Sequence, residues 1–425
     1  MKVLVVGKGA REHALAWKIA QSPIVEKVYA FPGNAGISQI ANIPDIVNDS
    51  IESLSDFALK ENIDLTVVGP EDYLAKGITD LFESKGLKVF GVNKVAATLE
   101  SSKAFAKEVM ESANIPTASF STASDYEAGK KMLKNFDFPV VLKADGLAAG
   151  KGVIICENYE TAKKELFEML GGKFKEAGSK VVIEQFLKGE ELSLLLLTDG
   201  SNVKKLLFSQ DHKALLEEDK GPNTGGMGAY TPVSFADDKL YEKIESLITV
   251  PLLRELKKRE IDYRGVLYIG LMIVDGSPYV LEYNVRFGDP ETEPLMFMLK
   301  SDIVPYFLGC IERSLENLPE MSWKRGYGAT VVMASEGYPG SYRKGIFING
   351  LETVDNNCSV FHAGTVYNKN KKMVTDGGRV LMVTSSGNSI KEAIENTYKN
   401  VHKISFEGAY YRKDIGYREL NRGGQ

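Results

Sequence analysis

The chain opens Met1-Lys2-Val3-Leu4-Val5-Val6-Gly7-Lys8-Gly9-Ala10-Arg11-Glu12-His13. Val3, Leu4, Val5 and Val6 form a short valine-rich run that suits a strand buried on both faces of a parallel sheet. Gly7 and Gly9 follow at once, and residues 11–20 carry a helical pattern. Strand, glycine turn and helix open an α/β unit; a signal peptide would need a longer apolar run. Strand-like runs at 25–31, 65–68 and 88–90 alternate with helical stretches at 51–61 and 75–85. The alternation predicts a doubly wound parallel sheet over residues 1–102. Its strands end at Gly9, at Pro32-Gly33-Asn34-Ala35-Gly36 and at Gly69-Pro70-Glu71. Those ends should converge on one crevice, the usual ligand position in such sheets.

Residues 103–188 read as a second, smaller unit. A helix over 103–113 stops before Asn114-Ile115-Pro116. A strand over 139–143 runs into Ala144-Asp145-Gly146-Leu147-Ala148-Ala149-Gly150-Lys151-Gly152, and a second strand follows at 153–156. This is a hairpin with a glycine-rich tip. A helix over 161–170 and a strand over 180–186 complete the unit. Residues 189–325 predict strands at 192–198, 204–209, 265–274 and 278–284, with a long helix over 239–259. Residues 326–425 predict strands near 329–334 and 379–385 and a helix over 389–404. The expected fold class is therefore α/β and α+β multidomain, with a mixed α/β domain at the C-terminal end.

Composition bounds the function. The 425 residues, 44% hydrophobic, suffice for several cores. A net charge of −5 without a basic tract argues against a nucleic-acid partner. No apolar run is long enough to predict a membrane-spanning helix. Cys156, Cys310 and Cys358 are far apart and odd in number, which suits neither a zinc site nor a disulfide framework. They are expected to be free core residues in a reducing cytoplasm.

Several clusters carry chemistry. The turn at Gly7 and Gly9 lets a helix N-terminus face an anion. It serves either as a phosphate site or as a tight structural turn, because Glu12 breaks the G-x-G-x-x-G fingerprint of dinucleotide binding. His13 reads as a structural helix residue. The glycine-rich hairpin tip offers backbone donors, and Lys143 and Lys103 are point charges for phosphate oxygens. Near Glu184-Gln185-Phe186-Leu187, a strand leaving the core offers backbone groups to a purine edge. In Leu281-Glu282-Tyr283-Asn284-Val285-Arg286-Phe287-Gly288-Asp289-Pro290-Glu291, alternation sets Glu282, Asn284 and Arg286 on one strand face. Glu and Asn oxygens suit Mg²⁺, and Arg286 suits a phosphoryl or carboxylate group; a buried salt-bridge network is the alternative. Asn223, Thr224 and the glycines of the 221–228 loop are placed to wrap a small substrate, with His212 nearby as a hydrogen-bonding residue.

These clusters, in this order, resemble the ATP-grasp superfamily, in which two subdomains clasp ATP. The strings GKGAREHALAW, PGNAG, VVGPE, LKADGLAAGKGV, IEQFLKGEELS, SQDHK, GPNTGGMGAY and EYNVRFGDPETEP resemble the glycinamide ribonucleotide synthetase family, from one end of the chain to the other. The resemblance implies an N-terminal domain (1–102), an ATP-grasp lid (103–188), an ATP-grasp core (189–325) and a C-terminal domain (326–425). It implies ATP held by Lys103, Lys143, Gly146, Gly150, Gly152, Glu184, Gln185 and Leu187, with Glu191 on the ribose in preference to Glu190. Glu282 and Asn284 would hold Mg²⁺ or Mn²⁺. Phosphoribosylamine would sit near Gly9, Arg11, Gly33, Asn34, Glu71, Asp211 and Lys213. Glycine would sit near Asn223, Thr224, Gly225, Gly226 and Met227, with Arg286 and Asp289 catalytic. The implied protein is a cytoplasmic, monomeric ligase of purine biosynthesis acting on ATP, glycine and phosphoribosylamine. Three departures from the family pattern, Ala10, Asp72-Tyr73 and Ala214, fall on the phosphoribosylamine side. A fourth, Gly270, stands where many ATP-grasp enzymes place an acidic metal ligand.

Overall fold

The computed structural model describes residues 1–147, 152–174 and 178–422. Strands β1 (Lys2–Gly7), β2 (Lys27–Pro32), β3 (Leu65–Val68) and β4 (Val89–Phe90) form a parallel sheet in the order β2-β1-β3-β4. The chain leaves β1 on one side and returns on the other, so the ends of β1 and β3 flank a topological switch point. Helix Ala10–Ile19 begins there, directly after Gly9. The single helix expected over 75–85 is two helices, Glu71–Lys76 and Ile78–Ser84. Gly77 divides them at φ +88°, a left-handed conformation that ends a helix and favours glycine.

The second sheet is antiparallel. Its strands β5 (Phe120–Ala123), β6 (Val140–Ala144), β7 (Val153–Cys156) and β8 (Val181–Gln185) lie in the order β5-β8-β6-β7. β6 and β7 are the expected hairpin, with Lys143 opposite Val153. β5 is an addition to the sequence reading; Phe-Ser-Thr-Ala is too short and too polar to announce a strand.

Next come β9 (Glu190–Thr198) and β10 (Val203–Lys205). The chain then makes β11 (Gln210–Asp211) and β12 (Gly228–Thr231), which leave this sheet, and returns with β13 (Gly265–Val274) and β14 (Ser277–Asn284). The resulting antiparallel order is β10-β9-β13-β14. The long helix runs as Asp238–Ile244 and Val250–Lys258, joined by a π-helical turn at Glu245–Thr249.

The last segment adds β15 (Tyr327–Ser335), β16 (Cys358–His362), β17 (Thr365–Tyr367), β18 (Met373–Thr375), β19 (Arg379–Gly387) and β20 (Ala409–Tyr410). The sheet order is β11-β12-β15-β19-β16, with β20 beside β15. Two strands of the central segment therefore belong to the C-terminal sheet. β16, β17, β18 and β20 are also additions to the sequence reading.

Helix Thr292–Met298 is buried along its whole length. It packs against helix Ala10–Ile19 and against β15 and β19, so three parts of the chain meet on it. Trp17 stacks on Phe297 at 6.1 Å between ring centroids, and Phe90 stacks on Phe307 at 4.1 Å. Cys156 and Cys310 are buried, Cys358 is half-buried, and all are free.

Phe307 is fully buried on helix Val304–Glu312 and joins that helix to β4. Phe307→Ala is expected to cost about 3–5 kcal/mol, the span for emptying an aromatic site in a packed core. A lowered urea midpoint would show it, and Phe307→Leu should recover most of the loss.

Candidate active site

A cleft of about 360 Å³ lies where the four larger sheets meet. β14 supplies its floor. Alternation along β14 places Glu282 and Asn284 in the cleft, and the extended chain beyond carries Arg286 there as well. Arg286 is spoken for on every nitrogen. Nε lies 3.2 Å from Glu71 Oε2, Nη1 donates to Phe287 O at 3.2 Å, and Nη2 reaches Asn284 Oδ1 at 2.9 Å and Glu100 Oε1 at 2.8 Å. The salt-bridge network expected as the alternative is present on this strand face, and the same polar residues line the cleft.

Charge balance sets the protonation states. Burial works to raise the Glu71 carboxyl, but Arg286 and Arg11 outweigh it and hold it at about 2. Burial pushes Glu100 up and wins, despite Arg286. Burial also opposes ionisation of Glu282, yet Lys213, Lys143, Lys103 and Arg286 together keep it below the usual carboxylate range. The Glu282 side chain makes no hydrogen bond to a described residue, and its ionised carboxylate is ringed by cations.

The lid side contributes three lysines, of which Lys103 and Lys107 line the cleft and Lys143 is not on its wall. Lys143 on β6 lies 2.9 Å from Glu184 Oε2 and donates to Leu281 O at 2.9 Å. Lys107 lies 3.2 Å from the same carboxylate oxygen and donates to Thr117 Oγ1 at 2.7 Å. Burial lowers Lys107 to about 8, against the pull of Glu184. Lys103 opens helix Lys103–Ser112, which Ser102 caps by accepting from Phe105 N. Its Nζ donates to Gly146 O at 3.3 Å. Gly152 and Glu184 line the same cleft. Gly150 lies outside the described residues. Gln185 and Leu187 are not on the cleft wall, and Gln185 N already donates to Ser119 O at 3.0 Å.

Arg11, Glu71, Asp211, Lys213, Thr224, Gly225 and Asp289 also line the cleft. Gly9 and Gly226 back it; a Cβ on Gly9 would stand 3.5 Å from Asp289 Oδ2, and one on Gly226 2.8 Å from Asp211 Oδ1. Lys213 lies 2.6 Å from Glu191 Oε2, whereas Glu190 pairs with Arg422. Gly33, Asn34, Asn223 and Met227 lie off the wall. Asn34 spends its carboxamide on the chain, donating to Lys8 O and His362 O and accepting from Gly36 N and Ile37 N. Met227 is fully buried. His212 is buried too; its Nε2 accepts from Gly416 N, and burial lowers it to about 3.

Glu12, which breaks the dinucleotide fingerprint, fills the switch-point crevice. It accepts from Gly9 N and Arg11 Nε, both at 2.5 Å. A Cβ on Gly69 would stand 2.1 Å from its Oε1. A buried carboxyl in this position leaves no room for a pyrophosphate. Four more residues of the cleft, Glu100, Lys107, Tyr268 and Arg379, were not singled out by sequence. Their contacts span long stretches of chain, which local patterns do not report. Glu291 had a signal, as the last residue of the quoted 281–291 motif. It accepts from Tyr268 OH at 2.5 Å.

A lid sheet and a core sheet closing on a cation-lined cleft define an ATP-grasp protein. Among solved structures, the biotin carboxylase domain of a 2-oxoglutarate carboxylase from Hydrogenobacter thermophilus shares the fold, with TM-score 0.73 and 20% identity over 96% of this chain and 91% of that one. The chain belongs to the phosphoribosylglycinamide synthetase family. The N domain of that family matches residues 1–100, its ATP-grasp (A) domain residues 101–292 and its C domain residues 328–418. A phosphoribosylamine–glycine ligase of Caldanaerobacter subterraneus is 48% identical over 98% of this chain and 99% of its own length. One from a Nostoc species is 46% identical, covering 98% and 99%. The crystal structure of the Thermotoga maritima phosphoribosylamine–glycine ligase matches with TM-score 0.86 and 36% identity, over 97% of this chain and all of that one.

Glu71 gives a pH-dependent prediction. Its folded pKa of about 2 lies below the ordinary 4.5, so its ion pairs add stability above that pH and lose it as pH falls towards 2. Glu71→Gln should lower the thermal unfolding temperature at pH 7. The gap to the parent should narrow steadily below pH 4.5 when scans are run from pH 7 to 3.

Proposed function

We propose that the protein is an ATP-dependent ligase that joins glycine to 5-phosphoribosylamine, giving glycinamide ribonucleotide, ADP and phosphate in de novo purine synthesis. The observation that carries this reading is the end-to-end match to phosphoribosylamine–glycine ligases at 46–48% identity, on a chain whose cleft gathers ATP-grasp chemistry.

Glycine's carboxylate is a poor electrophile. A carboxylate oxygen attacks the γ-phosphorus of ATP, the bond to ADP breaks, and glycyl phosphate forms. The phosphoribosylamine nitrogen then attacks the acyl carbon; phosphate leaves with the C–O electron pair and the nitrogen gives up a proton. No protein nucleophile is required. Lys103 and Lys143 neutralise phosphate oxygens, and the walls hold the reactants in line. The lid hairpin over the cleft keeps water from the acyl phosphate. Arg11 and Lys213 serve the phosphoribosylamine side, and Glu191 is the ribose acceptor.

Glu282 and Asn284 fit a divalent cation. One is an ionised carboxylate with no hydrogen bond to a described residue; the other has a carboxamide oxygen with one lone pair beyond its bond to Arg286. Both are hard oxygen donors of the kind Mg²⁺ takes, and Mn²⁺ accepts them too. No group of three His, Cys, Asp or Glu side chains converges among the described residues. Gly270, directly opposite Glu282 across the β13–β14 ladder, adds no side-chain ligand. The ion would therefore complete its shell from phosphate oxygens and water. When bound, it spreads the charge of the transferring phosphoryl group. We assign the activity to the cytoplasm and to a monomer; no helix among the described residues is long and apolar enough to cross a membrane.

The test is ADP release with ATP, Mg²⁺, glycine and phosphoribosylamine, omitting each in turn. Release that needs every component, with glycinamide ribonucleotide in the mass spectrum, is expected. Consumption with a different acid or amine would overturn the substrate assignment. In the same assay Glu282→Gln should lower turnover roughly 10²–10³-fold, as loss of a main electrostatic stabiliser does; near-normal turnover would reject its role.

A further inference from the structure

Arg379 is the first residue of β19, in the C-terminal sheet, and it lines the cleft. The ligase scheme gives it no part. Its hydrogen bonds are one-sided. Nη1 donates to Gly225 O at 2.5 Å, to Asp289 O at 3.0 Å and at the limit to Gly226 O at 3.5 Å, and it lies 3.2 Å from Asp289 Oδ1. Nε and Nη2 have no hydrogen-bond partner among the described residues. Neither is sealed inside the protein, and the side chain keeps 19% of its surface open. The guanidinium lies against Gly225, where a Cβ would stand 3.0 Å from Cζ. One nitrogen anchors the group, and the opposite edge presents two donors to the cleft.

Arg286 offers no such edge, because Glu71, Glu100, Asn284 and Phe287 O already occupy its nitrogens. An incoming anion meets a filled fork there and an open one at Arg379. The surroundings of the open fork select the anion. Asp211, Asp289 and Glu291 line the same cleft. Asp211 Oδ1 is buried without a hydrogen-bond partner. Ionised carboxylates repel a phosphate ester and attract an ammonium; burial pushes the Asp211 carboxyl well up, and an ammonium set beside it would draw it back towards the ionised form. A zwitterionic amino acid satisfies both sides: its carboxylate matches the planar fork, and its ammonium matches the acids.

We propose that Arg379, carried by the C-terminal domain, binds the carboxylate of the amino-acid substrate on its Nε–Nη2 edge, with the ammonium turned towards Asp211 and Asp289. This rests on the ligase reading above. The fork would also offset the repulsion between that carboxylate and the γ-phosphoryl group it must attack. Substrate contact then comes from the C-terminal domain as well as from the ATP-grasp core.

The test is steady-state kinetics of Arg379→Lys and Arg379→Gln, with each substrate varied in turn. Loss of a charge-assisted pair predicts a rise of about 10- to 100-fold in the KM for glycine, while the KM values for ATP and phosphoribosylamine stay within about threefold. Lysine keeps the charge but not the fork, so it should rescue only part of the loss. Inhibition by glycinamide, which lacks the carboxylate, gives a second readout. The parent enzyme should bind glycine far better than glycinamide, and the glutamine variant should lose most of that preference. A rise confined to phosphoribosylamine would assign the fork to its phosphate and overturn the proposal. Equal rises for all three substrates, with glycinamide discrimination intact, would reduce Arg379 to an anchor for Gly225 and also overturn it. If the parent itself turns over without glycine, the ligase reading fails first and the proposal with it.

Discussion

A largely buried guanidinium cannot stay unpaired, and the placement of Arg286 organises the rest of the molecule around that constraint. Its partners come from different parts of the chain: Glu71 from the end of β3, Glu100 from the linker to the lid, Asn284 from its own strand. Removing a partner would leave a charge in a site of low polarity, which costs several kcal/mol. The N-terminal sheet therefore cannot drift from the core without exposing or stranding that charge. Glu100 also accepts from Val285 N at 2.8 Å, so the same network fixes the backbone that carries the site. Docking of the N-terminal domain and shape of the cleft are one electrostatic problem with one solution.

The lid obeys a related rule at its root. Lys143 donates to Leu281 O on β14, and Thr117 Oγ1 donates to Val280 O at 2.6 Å. Both bonds run from the lid unit to the backbone of the strand that holds Glu282. Glu184 sits between Lys107 and Lys143 and pairs with both, which lets two lysines stay buried beside the cleft. The bonds from Lys143 and Thr117 tie the base of the lid unit to the strand that floors the cleft.

The architecture was legible in the sequence wherever the signal was local. The valine run before Gly7 gave the parallel sheet, and alternation gave the cleft face of β14. Breaks came where a single residue overrode a pattern, as at Gly77, or where a strand was too short to announce itself, as with β5. The site was legible in its floor and only partly in its walls. Glu282, Asn284 and Arg286 share one short stretch, so period alone groups them. Lys107 meets Glu184 across 77 residues and Arg379 meets Asp289 across 90, and nothing in either neighbourhood names the other. Asn34 combines both kinds of contact: its carboxamide bonds Gly36 N and Ile37 N within its own loop, and Lys8 O and His362 O outside it, the last across 328 residues, and only the contacts within the loop follow from the loop's own sequence.

The C-terminal domain is more than a cover. β11 and β12, from the central segment, pair into its sheet, and Asp211 ends β11. The loop between those strands, which brings Lys213, Thr224 and Gly225 to the cleft, is gripped from the C-terminal side. Arg412, fully buried, donates to Ala214 O at 3.1 Å and pairs with Asp219 at 3.0 Å and Asp414 at 2.8 Å. Tyr410 OH donates to Leu215 O, and Gly416 N donates to His212 Nε2. A loop of this length would otherwise lose much entropy on ordering around a small substrate. Holding it beforehand moves that cost from binding to folding, which is what preorganisation means for affinity. The grip does not depend on a side chain at residue 214, because Arg412 uses the backbone carbonyl there. A departure from the family pattern at Ala214 therefore leaves the clamp intact.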